Sequence, residues 1–479
     1  MTAWLPWPLR IAIFLFSGYS AVHALLRKRD PRAGFAWVAL CLLVPGLGAL
    51  FYWLFGVNRI RTRARKYLSE WQARASREVF VYGIAASPER IWEHIPEHYA
   101  PLLRASDRVT RRPLLPGNRL KSLHNGEAAY PEMLEAIAGA AESVYLSTYI
   151  FESNRAGQRF TEALLAAQQR GVDVRVLVDG FGQFYSRPRS RRLLAAAGVR
   201  HAVYLPFDLL RSQFHLNLRN HRKLLIVDGR TGFTGGMNIG DRHLVALPDN
   251  PTRVVDLHFR VEGPVVAEMT EAFLEDWTFT TGEPMPDVPF PEPLCCEPAF
   301  CRGVSAGPNE DFEKLQWIML GAIDAAREHL RIMTPYFVPG REMISALCVT
   351  ALSGVEVDVI LPSVNNHRFV HWASRALHSE LVEHGVRIWY QPPPFVHTKL
   401  LLVDDHYAQV GSANLDARSL QLNFEFNLEI YDAGLAGGLI GHFKEVLATC
   451  RPVTLEDLTS RPPHQHLVDA AARLFAPYL

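Results

Sequence analysis

His221 and His397 each stand two residues ahead of a lysine, Lys223 and Lys399, in stretches that repeat one another 176 residues apart. From His221 the chain reads "HRKLLIVDGRTGFTGGMNIG", and from His397 it reads "HTKLLLVDDHYAQVGSANLD". The two share His, Lys, Leu, Leu, Val, Asp, Gly and Asn in the same order and at the same spacing. Duplicated strands would keep the apolar runs Leu224–Val227 and Leu400–Val403 for their core. That does not explain the polar identities at His221/His397, Lys223/Lys399 and Asn238/Asn414. Residues i and i+2 of a strand share a face, so each pair sets two cationic side chains beside each other. They repel, and a bound anion is what would want both there. Histidine adds acid, base and nucleophile chemistry, because its unperturbed pKa lies near the working pH.

The elements around these stretches also occur twice. "PEMLEAIAGAAESVYLSTYIF" (131–151) and "GAIDAAREHLRIMTPYF" (321–337) each read as a helix leading into an apolar strand. "FTEALLAAQQRGVDVRVLVD" (160–179) and "MISALCVTALSGVEVDVILP" (343–362) each read as a helix, a Gly stop and a β-branched strand. "LLAAAGVRHAVY" (193–204) then matches "LVEHGVRIWY" (381–390). Strands alternating with helices predict an α/β fold with a mostly parallel or mixed sheet. At 479 residues the chain exceeds one ordinary domain. The Pro- and Cys-rich stretch 284–301 reads as the link between halves at 115–283 and 302–479.

Fifty Lys and Arg against 49 Asp and Glu give no global signal for a nucleic-acid partner. The six cysteines, Cys41, Cys295, Cys296, Cys301, Cys348 and Cys450, lack Cys-x-x-Cys spacing and read as reduced thiols. The apolar residues concentrate at the front. Ala33 to Val57 is a run of 25 residues without a charge, longer than the ~20 that a spanning helix needs. Pro45, Gly46 and Gly48 allow a kink or re-entrant shape there. The earlier run, Ile11 to Leu26, reaches spanning length only by taking in Arg10. Together they predict a two-segment membrane hairpin over 1–60, followed by a basic linker and lead-in over 61–114. Arg10 with Arg59, Arg61, Arg63, Arg65 and Lys66 outnumbers Arg27, Lys28, Arg29 and Arg32 by six to four. That excess places the body on the cytoplasmic side by the positive-inside rule.

His-x-Lys-x4-Asp followed by Gly-Gly/Ser-x-Asn resembles the phospholipase D superfamily. His221, Lys223, Asp228, Gly235 and Asn238 match one copy; His397, Lys399, Asp404, Gly411, Ser412 and Asn414 match the other. The first copy carries Gly236 where the family often has Ser. "NLRNHRKLLIVDG" (217–229), "RIMTPYFVPG" (331–340), "GSANLDARSLQLNFE" (411–425), the tail "RLFAPYL" (473–479) and the front (29–59) are similar to bacterial cardiolipin synthases. The resemblance implies two pseudo-symmetric phospholipase D-like domains sharing one site. It implies His221, Lys223, Asp228, His397, Lys399 and Asp404 as the catalytic set, although strand-end salt-bridging is the better reading of the two aspartates. Asn238, Ser412 and Asn414 would bind phosphate, with His221 as nucleophile and His397 as acid/base.

Each histidine also needs an acceptor that orients its other nitrogen. The resemblance implies an acid some distance past each motif: Glu425 for His397 and Asp256 for His221. His258, His367 and His371 are further candidates for the cleft. The implied reaction exchanges one phosphodiester for another: two phosphatidylglycerols give cardiolipin and glycerol, with no cofactor. Nothing in the motif demands a metal, since two lysines supply the charge. The expected partners are phosphatidylglycerol and anionic membrane lipid at a bacterial inner membrane; a homo-oligomer is compatible with the sequence. Competing readings are a membrane-bound phospholipase D that uses water or another lipid, a nuclease and an inactive scaffold. The hairpin and near-neutral balance oppose the nuclease, and two intact motifs oppose the scaffold.

Overall fold

Each half of the body turns its leucine- and β-branched-rich runs into strands that are buried on nearly every residue, as a sheet covered on both faces requires. The computed structural model describes residues 6–28, 31–56, 88–206, 219–288, 299–307 and 313–476. In the first half the strands lie side by side in the order His201–Tyr204, Asp173–Asp179, Ser143–Thr148, Leu224–Val227, Thr231–Gly235, Leu257–Glu262 and Leu115–His124. The second half repeats that order with Arg387–Gln391, Glu356–Pro362, His329–Met333, Leu400–Val403, Tyr407–Gly411, Glu425–Tyr431 and Ala299–Ala306. In both, three parallel strands meet an antiparallel set.

The halves join where Leu115–His124 pairs antiparallel with Ala299–Ala306, Leu115 opposite Cys301 and Asn118 opposite Ala299. One 15-stranded sheet results, closed at the second edge by the short strand Arg451–Pro452. Both halves therefore fall within one compact unit rather than two. Two boundaries move accordingly. Residues 299–301, read as link, belong to a central strand. The lead-in is no spacer either: helix Ala100–Thr110 buries Leu102 and Leu103 in the core of the second half, with Tyr99 just ahead of it. The Tyr99 hydroxyl donates to the Val403 carbonyl at 2.8 Å.

The front of the chain is a separate unit. Its long helix is the first one, Trp7–Arg27, at 21 residues the only described helix of spanning length. The charge-free run that looked longer is broken: helix Pro31–Leu43 ends before a turn, and helix Leu47–Phe51 with a π-helical turn Tyr52–Gly56 follows. Gly46 lies in the left-handed region (φ 85°) and donates its N–H to the Ser17 hydroxyl at 2.9 Å. A side chain at Gly48 would strike the Leu40 carbonyl oxygen at 2.1 Å. The chain therefore bends sharply at Val44–Gly46, the place where Pro45, Gly46 and Gly48 allow it. The basic cluster Arg59, Arg61, Arg63, Arg65 and Lys66, and Cys295 and Cys296, lie outside the described residues.

Candidate active site

A four-residue strand carries chemistry at one end and structure at the other, in both halves. His221 and Lys223 lead into Leu224–Val227, and Asp228 follows it. His397 and Lys399 lead into Leu400–Val403, and Asp404 follows. At ~3.3 Å per residue the aspartates sit more than 10 Å beyond the lysines. The Asp228 carboxylate accepts backbone N–H groups of Ala141, Glu142 and Ser143 at 2.9, 2.7 and 2.8 Å. Asp404 does the same for Arg327, Glu328 and His329 at 3.1, 2.8 and 2.9 Å. Burial would raise the Asp228 carboxyl, but those three N–H donors outweigh it and hold it below its ordinary value. Both residues adopt left-handed backbone, φ 52° and 48°. They splice the strand to the start of its neighbour, so the salt-bridging reading was close and a direct catalytic role is corrected.

The histidines are positioned across the pseudo-symmetry axis. The His221 N–H donates to the Phe424 carbonyl at 2.9 Å, and the His397 N–H to the Val255 carbonyl at 2.8 Å. Phe395–Val396 and Val254–Val255 form a two-residue parallel pair, mirrored by a bridge between Asn220 and Phe424. The carboxylates follow the backbone. Nδ1 of His221 lies 3.0 Å from Glu425, and Nδ1 of His397 lies 2.8 Å from Asp256. Both acids lie against an imidazole, but with the expected partners exchanged: each Nδ1 meets the acid of the other half.

Burial and proximity set the electrostatics. The His221 imidazole is pushed down to about 4, chiefly by burial, with Lys223 and Lys399 adding and Glu425 opposing. His397 is pushed well below its ordinary value by burial, then by Lys399, Lys223 and His221. Groups of each half thus act on the imidazole of the other, which marks one shared locus. Burial lowers Lys223 to about 7 and Lys399 to about 8. Asp256 is raised by burial to about 7. Glu425 feels the same burial, but His221, Lys223 and Ser412 overcome it and keep the carboxylate ionised.

The Ser412 hydroxyl is engaged within the protein. It donates to Glu425 at 2.5 Å and receives the Phe426 N–H at 3.0 Å, so it positions the acid that positions His221. The departure at Gly236 now has a reason. A Cβ there would fall 2.3 Å from the Asp256 carboxylate, which occupies the space Ser would need. A longer acid pairs with Ser in one half, and a shorter acid with Gly in the other. Asn238 accepts the Ile150 N–H on its side-chain oxygen at 3.0 Å, leaving its N–H2 for a ligand. Asn414 is within 3.1 Å of the Ser419 hydroxyl, and its Oδ1 is buried without a partner. Exchanging the two ends of that amide lets the oxygen accept from Ser419 and frees the N–H2.

Sequence reasoning passed over two tyrosines. Tyr149 packs edge-on against His221 (centroids 5.2 Å apart) and Tyr336 against His397 (6.3 Å). They occupy matching places in the repeated "STYIF" and "TPYF" runs, which was the available signal. Among the other histidines, His367 lies 5.6 Å from Tyr336 and so one ring from the site. His258 is buried beside Gly235 with Nδ1 unpartnered. His371 belongs elsewhere, to a cavity of about 370 Å³ with Arg375, Tyr390, Arg451 and Arg461. Among the described residues, no group of three or more His, Cys, Asp or Glu is placed to hold a metal.

Residues 133–277 and 319–447 match the family described as "Cardiolipin synthase, PLD-like domain". The chain belongs to the cardiolipin synthase family. Residues 15–56 match the family "Phospholipase_D-nuclease N-terminal". Cardiolipin synthase A of Pseudomonas aeruginosa is 34% identical over 480 residues, covering 98% of this chain and 96% of that protein. The major cardiolipin synthase of Bacillus subtilis is 31% identical, covering 94% and 95%. In fold, the cardiolipin synthase body resembles the crystal structure of a phosphatidylserine synthase from Haemophilus influenzae. That match has a TM-score of 0.62 at 16% identity, covering 79% of this chain and 100% of that one. The family is one of phosphatidyltransferases within the phospholipase D superfamily, and the apolar helix Trp7–Arg27 fits association with a membrane.

Proposed function

We propose that the protein makes cardiolipin and glycerol from two molecules of phosphatidylglycerol. Lys223, Lys399 and the N–H2 groups of Asn238 and Asn414 hold the nonbridging oxygens, neutralising the anion so that a nucleophile can approach. Nε2 of His221 attacks phosphorus, forming a P–N bond as the P–O bond to glycerol breaks; His397 gives its Nε2 proton to the departing oxygen while its Nδ1 takes one from the protonated Asp256. The second phosphatidylglycerol then offers its terminal hydroxyl. His397 takes that proton on Nε2 and returns the Nδ1 proton to Asp256, the new P–O bond forms and the P–N bond breaks. Charge and protons balance, and no nucleotide is needed.

The division of labour rests on one observation. Nδ1 of His221 faces acceptors only, the ionised Glu425 and the Ser412 carbonyl at 3.2 Å. It must carry the hydrogen, which leaves a lone pair on Nε2. Nδ1 of His397 instead has the Lys399 ammonium at 3.0 Å beside an Asp256 whose pKa is raised. When that nitrogen accepts, the hydrogen sits on Nε2, ready for transfer. The setting is the bacterial inner membrane, with the body on the cytoplasmic side and the front segments in the bilayer. Purified protein supplied with phosphatidylglycerol should yield cardiolipin and glycerol in equal amounts. Phosphatidic acid in place of cardiolipin would convert the reading to a hydrolase.

A further inference from the structure

Strands Asp173–Asp179 and Glu356–Pro362 end on the side of the sheet where the catalytic groups stand, and the rim there is aromatic and basic. Strand Asp173–Asp179 closes on Asp179, whose buried carboxylate accepts the N–H groups of Phe181 and Gly182 at 2.8 and 3.0 Å. Its other oxygen accepts the N–H of Asn220 at 2.9 Å, one residue before His221. One side chain therefore ties the backbone of the nucleophile to the turn Gly182–Tyr185. Around that turn Phe181, Phe184 and Tyr185 are 39, 43 and 44% exposed. Tyr185 lies 6.1 Å from Tyr149, whose ring packs on His221. The second half repeats the arrangement: beyond strand Glu356–Pro362, Val364 and Phe369 are exposed, and His367 touches the ring that packs on His397.

Charge on both lips has one sign. Residues 180–198 hold Arg187, Arg189, Arg191 and Arg192 and no Asp or Glu. Residues 363–379 hold Arg368 and Arg375 and no acid, although Arg375 is paired with Asp469 at 2.6 Å, which leaves Arg368 as the exposed charge. Arg187, Arg191, Arg192 and Arg368 are exposed, and the Arg189 guanidinium lies 4.3 Å over the Phe184 ring. A rim for a water-soluble substrate would gain nothing from exposed rings. We propose that this rim docks on an anionic bilayer. Phe181, Phe184, Tyr185, Val364 and Phe369 enter the boundary between headgroups and acyl chains, where amphipathic rings are stable. The arginines take lipid phosphates, and the mouth of the site lies at the headgroup plane. The proposal rests on the reading above that the substrate is a membrane phospholipid. It assigns the contact to the catalytic body itself, over and above the apolar front segments.

A photoreactive benzophenone side chain at position 184 of the full-length chain, in vesicles of phosphatidylglycerol and phosphatidylethanolamine, tests it. Position 352 is the control: Leu352 is more open to solvent than Phe184, 67% against 43%, but precedes the far end of strand Glu356–Pro362. Illumination should attach lipid at 184 with a yield about tenfold above that at 352. The Phe181→Ser/Phe184→Ser variant should lose about tenfold more kcat/KM on bilayers than on detergent-dispersed lipid. Equal yields at 184 and 352, adducts at 184 to a second copy of the chain, or equal losses on both lipid forms would overturn the proposal. Labelling requires no turnover, so lipid adducts without cardiolipin would refute the function proposed above and leave the docking surface standing.

Discussion

The Nδ1 of His221 has Glu425 at 3.0 Å, and the Nδ1 of His397 has Asp256 at 2.8 Å, each acid coming from the opposite half. Crossed pairing has a kinetic consequence that uncrossed pairing does not. Glu425→Gln should behave like His221→Ala, and Asp256→Asn like His397→Ala. Losses of about 10²–10⁴-fold are expected for the acids, as for the acid of a Ser-His-Asp triad. The pairs separate with a phosphatidyl ester whose leaving group departs without a proton. Such a substrate should restore formation of the phosphohistidine in His397→Ala and Asp256→Asn, and should do nothing for His221→Ala or Glu425→Gln. Rescue of Glu425→Gln instead would reinstate pairing within each motif. The lysines govern the pH profile. Their folded pKa values are lowered, Lys223 to about 7 and Lys399 to about 8, so the clamp loses charge as pH rises through that interval. On the acid side, His221 takes up a proton only as pH falls towards 4. A rate profile of kcat/KM, which reports the free enzyme, should therefore be flat from about 5 to 6.5 and decline above about 7. In kcat the decline should move to higher pH, because bound phosphate favours the ammonium form. A kcat/KM that climbs through pH 8 would contradict the clamp.

At the scale of elements, the strand Leu224–Val227 separates two functions that its motif writes as one. Asp228→Asn weakens the splice to Ala141, Glu142 and Ser143 and should cost about 1–3 kcal/mol of stability. Turnover of the folded protein should stay within about threefold, since the carboxylate lies at the far end of the strand. Thermal denaturation beside kcat reads both, and a collapse of kcat at unchanged stability would return Asp228 to the chemistry. Sequence alone revealed the repeat, the strand runs and the two His-Lys pairs, because each is local: apolar period, Gly stops and fixed spacing. The family resemblance pointed to Glu425 and Asp256, the two acids that lie against the imidazoles. Sequence could not show that Phe424 receives the N–H of His221, a contact 203 residues away, so proximity in sequence misassigned the partners. The same limit hid Ser412, whose hydroxyl turns to Glu425, and the Asp256 carboxylate that makes Gly236 necessary. At the front, counting apolar residues favoured 33–57, while the turn at Val44–Gly46 shortened that run and left Trp7–Arg27 as the long helix.

For the catalytic body as a whole, crossing requires that the two halves never move independently, and the second half is locked around the strand that joins them. Arg302, fully buried on the central strand Ala299–Ala306, donates to Glu429 at 2.8 Å and also bonds Asp107 of the lead-in helix. Glu429 further accepts from the hydroxyls of Ser106 at 2.8 Å and Tyr431 at 3.2 Å. The strand that carries Glu429 begins with Glu425, four residues earlier, so this buried ion pair and the acid that orients His221 share one backbone. Removing one member of a buried pair leaves a charge without compensation, at a cost of about 3–5 kcal/mol, whereas replacing both by apolar residues is often near neutral. Glu429→Ala should therefore lower the melting temperature markedly, and Arg302→Met/Glu429→Leu should recover most of the loss. Because the sheet is continuous through this pair, each variant should lose activity and structure of both halves in one transition. Calorimetry that resolved two transitions, with only the second half's shifted, would show the halves melting separately and would remove the physical basis for a site that each half completes for the other.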